Sequence, residues 1–174
     1  KLDSEIIIVD DASTDNTSIY VDDFIKNNQK YNIILIKNKI NKGLGTNYID
    51  IAFKASGKYY MLINGDNAET EESIINIIKN IGLADIIIPY FGNKDQRNKS
   101  RKLISIIFTK ILNFISGYNI PYYNGPVLHL TYNVMRWSPD THGYAYQAEL
   151  ITRIVSEGGT FKNVQINNQN RSFG

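Results

Sequence analysis

Glu5-Ile-Ile-Ile-Val-Asp-Asp-Ala-Ser-Thr-Asp-Asn-Thr17 decides the fold of this chain, because a β-branched run stops there in a cluster of carboxylates and hydroxyls. Ile6 to Val9 is too short for a helix and too uniformly apolar for a half-exposed strand, which predicts a central strand of a parallel sheet. In open α/β sheets ligands bind just beyond the carboxyl ends of such strands, where Asp10 and Asp11 stand. The plainer reading is a βα turn in which Thr14 or Asp15 caps the next helix and satisfies its first amides.

Working outward, further strands are expected at Ile33 to Ile36, Tyr59 to Ile63, Asp85 to Pro89 and Phe161 to Ile166. Helical patterns fill Ser18 to Asn27, Leu44 to Ala55 and Glu71 to Asn80, with Gly43, Gly57 and Gly82 as punctuation. This alternation predicts an α/β fold with a mostly parallel central sheet, right-handed crossovers and helices on both faces. After Pro89 the rhythm changes: Lys102 to Ser116 reads as one long helix, Gly125 to Tyr132 as a strand and Tyr146 to Glu157 as a further helix. No internal repeat or Ser/Pro linker divides residues 1–174, so a single domain is expected.

Of the 174 residues 43% are hydrophobic and 21% charged, an ordinary balance for a globular protein. A net charge of +2 is too small for a nucleic-acid-binding surface. With no cysteine, disulfides, thiolate zinc sites and a cysteine nucleophile are excluded, and with two histidines a His-rich metal site is not expected. No window approaches the roughly 18 apolar residues of a membrane span, and Lys1-Leu-Asp-Ser4 has no signal-peptide pattern. The chain opens almost directly on a core strand and closes at Asn170-Arg-Ser-Phe-Gly174 without a terminator, which suggests a piece of a longer protein.

A second acidic strand end follows at Tyr59-Tyr-Met-Leu-Ile-Asn-Gly-Asp-Asn-Ala-Glu69. Asn64 and Asp66, two apart, lie on one side of an extended segment and can share a hard cation such as Mg²⁺, which takes oxygen ligands plus waters and substrate phosphates. Asn-Gly-Asp is equally good chemistry for an ordinary turn before a helix. Between the two strand ends, Asn38-Lys-Ile-Asn-Lys-Gly-Leu-Gly-Thr-Asn47 approaches a helix start, and the free amides there suit a phosphate. As a bare G-x-G, it also serves as a tight turn.

Four blocks in order now resemble the family 2 glycosyltransferases of the GT-A fold. Ile8-Val-Asp-Asp-Ala-Ser-Thr-Asp-Asn-Thr17 is similar to V-D-D-G-S-T-D-x-T, and Asn41-Lys-Gly-Leu-Gly45 to N-x-G-x-G. Ala55-Ser-Gly57 resembles A-x-G, and Leu62-Ile-Asn-Gly-Asp66 the strand ending in D-x-D. Within the family the chain looks most like the dolichol-phosphate mannosyltransferase and polyprenyl-phosphate glycosyltransferase branch. There, Arg101-Lys-Leu-Ile-Ser105 resembles R-K-x-x-S, Tyr146-Gln-Ala-Glu149 an aromatic-Q-x-E block, and Arg171-Ser-Phe-Gly174 the start of R-x-x-G-E-S-K.

The resemblance implies a Rossmann-like GT-A domain and inverting transfer of a sugar from a UDP- or GDP-linked donor to a polyprenyl phosphate. Asp10, Asp11, Lys42 and Gly43 would hold the nucleotide, and Asn64 and Asp66 a Mg²⁺ or Mn²⁺ ion. Asp66, Arg101 and Glu149 would be catalytic, and Arg97, Arg101, Ser105 and Arg171 would hold the acceptor phosphate. The chain departs from the pattern at Asn64, where the family has its first Asp, at Ala68, and at Tyr122-Tyr-Asn-Gly-Pro126, where the branch carries an acid. The family's first strand would precede Lys1.

The acceptor class also follows from chemistry. A sugar hydroxyl loses a proton as it attacks and calls for a carboxylate base, whereas a lipid phosphate arrives ionised and calls for cations. Lys94, Arg97, Lys99, Arg101 and Lys102 crowd into nine positions opposed only by Asp95. A solvated charged loop before a helix is the bland alternative. The helix that follows, Leu103 to Ile115, is rich in large apolar residues; it suits a membrane surface, here the cytoplasmic face, or a core. Two rival functions stay open: transfer to a glycan hydroxyl with Asp140 or Glu149 as base, and a nucleotide-sugar-binding module without turnover. His129 and His142 stand in no nucleophile or ligand spacing and read as structural.

Overall fold

The computed structural model describes residues 3–92, 95, 97–139, 143 and 145–167. Strand β1 (Ile6–Asp10) leads through α1 (Thr17–Asn27) to β2 (Ile33–Lys37), and α2 (Leu44–Ala52) leads to β3 (Tyr59–Met61). Next come α3 (Glu71–Ile78), β4 (Ile86–Phe91) and α4 (Lys99–Ser116). The chain continues through β5 (Leu128–Leu130), α5 (Thr131–Arg136), α6 (Tyr146–Ser156) and β6 (Phe161–Ile166). The α/β class and the alternation read from the sequence are present.

Strand direction is more mixed than the alternation suggests. Among the described residues β1 and β2 form a parallel two-stranded sheet of their own, so β1 is not the central strand expected and its Ile6 is exposed. In the second sheet, of order β3-β5-β4-β6, β4 and β6 are parallel but β5 runs antiparallel to both β3 and β4. The cause is the connection: α4 ends at left-handed Gly117 (φ 74°), and the ten residues before β5 return the chain from the opposite end. β5 is also shorter than the apolar run Gly125 to Tyr132, because Thr131 begins the short helix α5, which the sequence reading missed.

β4 shows how helices come to lie on both faces. Ile86 and Ile88 join a cluster with Tyr48 and Ala52 of α2, Val134 of α5 and Leu150 and Ile151 of α6. Ile87, one residue out of phase, packs with Ile77 of α3 and Leu128, Val164 and Ile166 of its neighbouring strands. Successive strand residues point to opposite faces, so one strand nucleates both halves of the core. Pro89 can sit in this strand because β5 pairs only with Ile86 and Ile87; farther along, the ladder continues to β6 alone. Gly125 lies hard against that proline, where a Cβ would stand 2.8 Å from the Pro89 ring.

The helix ends follow local chemistry. The Thr70 hydroxyl accepts the Ser73 amide at the start of α3, and Glu71 and Glu72 face the helix dipole there. The Asn98 side chain accepts the Arg101 amide at 2.9 Å to start α4. The β1 end of the fold is tied to the turn before β3 by the Glu5 carboxylate, which accepts the Ser56 hydroxyl and the Gly57 amide, each at 2.9 Å.

Candidate functional site

At the carboxyl end of β1 the two aspartates do different work. Asp10, 5% exposed, accepts the Ser13 amide at 2.9 Å and the Ser18 hydroxyl, bonding the turn to the first residues of α1. Hydrogen bonds from Ser13 and then Ser18 hold its carboxyl below the usual range. Asp11 turns the other way and accepts the Lys42 amide at 2.9 Å, the Gly43 amide at 2.8 Å and the Asn38 side chain at 2.7 Å. Desolvation opposes its ionisation, but the bonds from Asn47, Lys42, Asn38 and Gly43 outweigh it and carry the carboxyl down to about 2.

The glycine-rich segment is therefore docked on the strand end by an internal anion. Gly43 is the N-cap of α2 with φ 80° and ψ 161°, a left-handed conformation open to glycine. The sequence reading reserved the Lys42 and Gly43 amides for a phosphate; in the structure Asp11 accepts both, and the Lys42 ammonium pairs with Asp50 at 2.6 Å. Asp10, Asp11, Lys42 and Gly43 thus form one corner, in which Asp11 is the keystone.

Past β3 the chain turns at Asn64-Gly-Asp-Asn67, with Asn67 at φ 53° and Asp66 accepting the Ala68 amide at 3.2 Å. β3 ends at Met61, two residues earlier than expected, so Asn64 and Asp66 sit in the turn and not on the strand. The Asn64 amide approaches Glu69 at 3.5 Å, a carboxylate that the sequence reading passed over. Among the described residues no three acids or histidines converge as a ready metal cage. An exposed carboxylate, an amide carbonyl and an adjacent second carboxylate still form a hard-oxygen donor set, and Mg²⁺ ordinarily takes one or two protein carboxylates with waters and phosphates completing its shell. The residues fit such an ion.

The basic segment resolves into one built cleft of about 400 Å³, lined by Phe91, Arg97, Lys102, Ser105, Lys110 and Tyr122 among others. Arg97 is its centre. Its guanidinium is forked onto Asp95 at 2.8 to 3.1 Å and donates to the Ser105 hydroxyl and the Tyr122 hydroxyl, both at 3.0 Å. Aromatic faces flank it, Phe91 at 4.6 Å and Tyr122 at 5.1 Å from the guanidinium carbon. Desolvation works against its charge, yet the bond to Asp95 overrides that and raises its pKa. Lys102 bonds the Asp95 carbonyl from the first turn of α4.

Arg97 and Ser105 are thus brought together, but Arg101 is not with them. Its backbone amide is capped by Asn98 and its side chain is exposed on α4, outside the lining of the cleft. Glu149 pairs along its own helix with Arg153 at 2.6 Å. Arg171, Lys94, Asp140 and His142 lie outside the described residues. Sequence reasoning missed Asp95 and Tyr122 as partners of Arg97, and Gln147, whose buried amide donates to the Tyr123 and Gly125 carbonyls at 2.6 and 2.8 Å and fixes the cleft's rear loop. Asn113, bonded to Ile120 and the Tyr123 hydroxyl, fixes the other end of that loop. A buried Gln within an apolar helical pattern was the available signal. His129, fully buried, sits among β-strand neighbours with neither ring nitrogen hydrogen-bonded, and burial carries its pKa down to about 3.

These features define an α/β protein whose oxygen-rich strand ends and cation-lined cleft suit phosphorylated ligands. Residues 1–141 match the family described as Glycosyl transferase family 2, and the chain belongs to that family. It is 36% identical over 73 residues to the abequosyltransferase RfbV of Salmonella typhimurium, covering 42% of this chain and 22% of that protein. It is also 36% identical over 81 residues to a dolichyl-phosphate beta-glucosyltransferase of Dictyostelium discoideum, covering 47% and 24%. The matched segments thus span about a quarter of those relatives' lengths. Among solved structures, glucosyl-3-phosphoglycerate synthase from Mycobacterium tuberculosis superposes with TM-score 0.72 at 14% identity over 98% of this chain and 62% of that one. Mannosyltransferase PcManGT from Pyrobaculum calidifontis, in complex with GDP-Man and Mn²⁺, gives TM-score 0.66 at 12% identity over 96% and 47%. The fold is GT-A.

Proposed function

We propose that this chain is the catalytic region of an inverting glycosyltransferase that moves a sugar from a nucleoside-diphosphate donor to a polyprenyl phosphate at the cytoplasmic face of a membrane. The observation that carries the acceptor half is the cleft around Arg97, where three cations and three hydroxyls converge and, among the described residues, the one lining carboxylate, Asp95, is committed to Arg97. That inventory suits an ionised acceptor, which needs charge and not a base. The dolichyl-phosphate relative leans the same way.

In this reading a phosphate oxygen of the acceptor attacks the anomeric carbon from the face opposite the nucleoside diphosphate. The new carbon–oxygen bond forms as the bond to the diphosphate breaks, its electron pair leaves with the diphosphate, and the configuration inverts. No proton has to be removed from the nucleophile. Asp11 holds the 41–43 loop that shapes the donor corner, while Arg97, Lys102 and Lys110 bind and orient the acceptor phosphate. Asn64 and Asp66, with Glu69 beside them, would hold a divalent cation, which supplies positive charge against the departing diphosphate. Structural neighbours in complex with Mn²⁺ and UDP-glucose or GDP-Man support both the metal and the donor class.

Arg97→Lys in the full-length protein tests the acceptor assignment, since lysine keeps the charge but loses the fork. The apparent KM for polyprenyl phosphate is expected to rise at least about tenfold, with the donor KM within about twofold. An equal rise in both would count against it.

A further inference from the structure

Helix α4 is apolar on both sides. Phe108 and Leu112 pack against the core, yet none of its residues is fully buried. On the outer side Ile104, Ile107, Ile111, Phe114 and Ile115 follow one another at helical spacing and are 67%, 49%, 53%, 89% and 74% exposed. A helix that is hydrophobic all round is normally covered on all sides, and a contiguous exposed apolar stripe marks a surface that something else covers.

Charge selects the covering. Residues 99–116 contain Lys99, Arg101, Lys102 and Lys110 and no acid. At 3.6 residues per turn, Arg101 borders the stripe on one side and Lys99 and Lys110 on the other. A second copy of the same face would set cations against cations with no carboxylate to answer them. A layer of anionic head groups over hydrocarbon complements both parts, because the stripe enters the acyl boundary while the flanking cations stay at head-group level.

We propose that α4 lies in the surface of an anionic bilayer and seats the protein there. The inference deepens the lipid-phosphate reading and rests on it for the sense of the arrangement. Ser105, Ile106, Thr109 and Lys110 of this same helix line the Arg97 cleft, so a phosphate held in the cleft lies beside the stripe that meets the lipid. The exposed Arg101, which the cleft does not use, gains its role here.

The test is flotation of the full-length protein with phosphatidylcholine vesicles and with vesicles that also contain phosphatidylglycerol. Binding is expected to the anionic vesicles, weakening with salt and by about fivefold in Lys99→Gln, the loss of one cation near the surface. The combined variant Ile104→Ser, Phe114→Ser, Ile115→Ser is expected to lose at least about tenfold of the partition while keeping its circular dichroism and nucleotide binding. Failure of the parent protein to float with either vesicle would overturn the proposal. So would unchanged flotation of the triple variant, or a dimer in solution that the triple variant dissociates. Transfer to detergent-dispersed polyprenyl phosphate without vesicle binding sinks this inference alone; vesicle binding without such transfer upholds it and sinks the acceptor reading.

Discussion

Replacing Asp11 by Asn probes how the donor corner is held. The wild-type carboxyl titrates near 2 in the fold against an ordinary 3.8, because four donors point at its ionised form. At about 1.36 kcal/mol per unit that difference is worth at most roughly 2.4 kcal/mol. The carboxylate is half-exposed, so solvent screening brings the figure to about 1 kcal/mol. Asparagine also turns an NH₂ group towards one of the amides that Asp11 accepts, so a loss of about 1–2 kcal/mol at pH 7 is expected. For 174 residues that is a fall in Tm of about 2–8 °C.

The pH dependence follows from the depressed pKa. Above about pH 4 the stabilisation is fully present; it is lost as pH falls towards 2, where the folded carboxyl also protonates. The gap between parent and variant, measured by urea denaturation at a series of pH values, should be constant from pH 7 to about 4 and close between about 4 and 2. Taking the difference between the two proteins cancels the other depressed carboxyls, such as Asp10 and Asp85. Equal midpoints at pH 7 would refute the keystone role of Asp11.

Three further outcomes are expected. Asp66→Ala should leave Tm unchanged, since the residue is exposed, and abolish any Mn²⁺ enhancement of UDP or GDP binding by calorimetry; retained enhancement would move the ion elsewhere. Gly125→Ala sets a methyl 2.8 Å from the Pro89 ring and should cost about 1–3 kcal/mol in denaturant unfolding, and an unchanged midpoint would contradict the close approach. His129→Leu removes an imidazole that is neutral in the fold and protonated below about pH 6.5 when unfolded. The parent should therefore lose stability as pH falls from 6.5 towards 3, by up to about 1.4 kcal/mol per pH unit, and the variant should lack that slope.

The parts legible in the sequence were those set by local chemistry. Ile6 to Asp10 declared a strand by its β-branching, and α6 declared itself by periodicity. The direction of β5 was not legible, because the loop that reverses the chain is held by Asn113 and Gln147 through bonds to distant carbonyls. In the site, the run of cations divides: Arg97, just before the Asn98 cap of α4, folds inward onto Asp95 and Ser105, while Arg101, in the first turn of the helix, is exposed. The Asp11 bonds to Lys42 and Gly43 span more than thirty residues and are likewise products of tertiary structure.

The measurement that bears most directly on function is transfer of radiolabelled sugar by the full-length protein from UDP- and GDP-linked donors, with polyprenyl phosphate and free glycans offered in the same reaction with Mn²⁺. The expected result is label in the organic phase, attached to lipid phosphate and drawn from one donor class. Label confined to the glycans, or none in either phase while the protein remains folded, would contradict it.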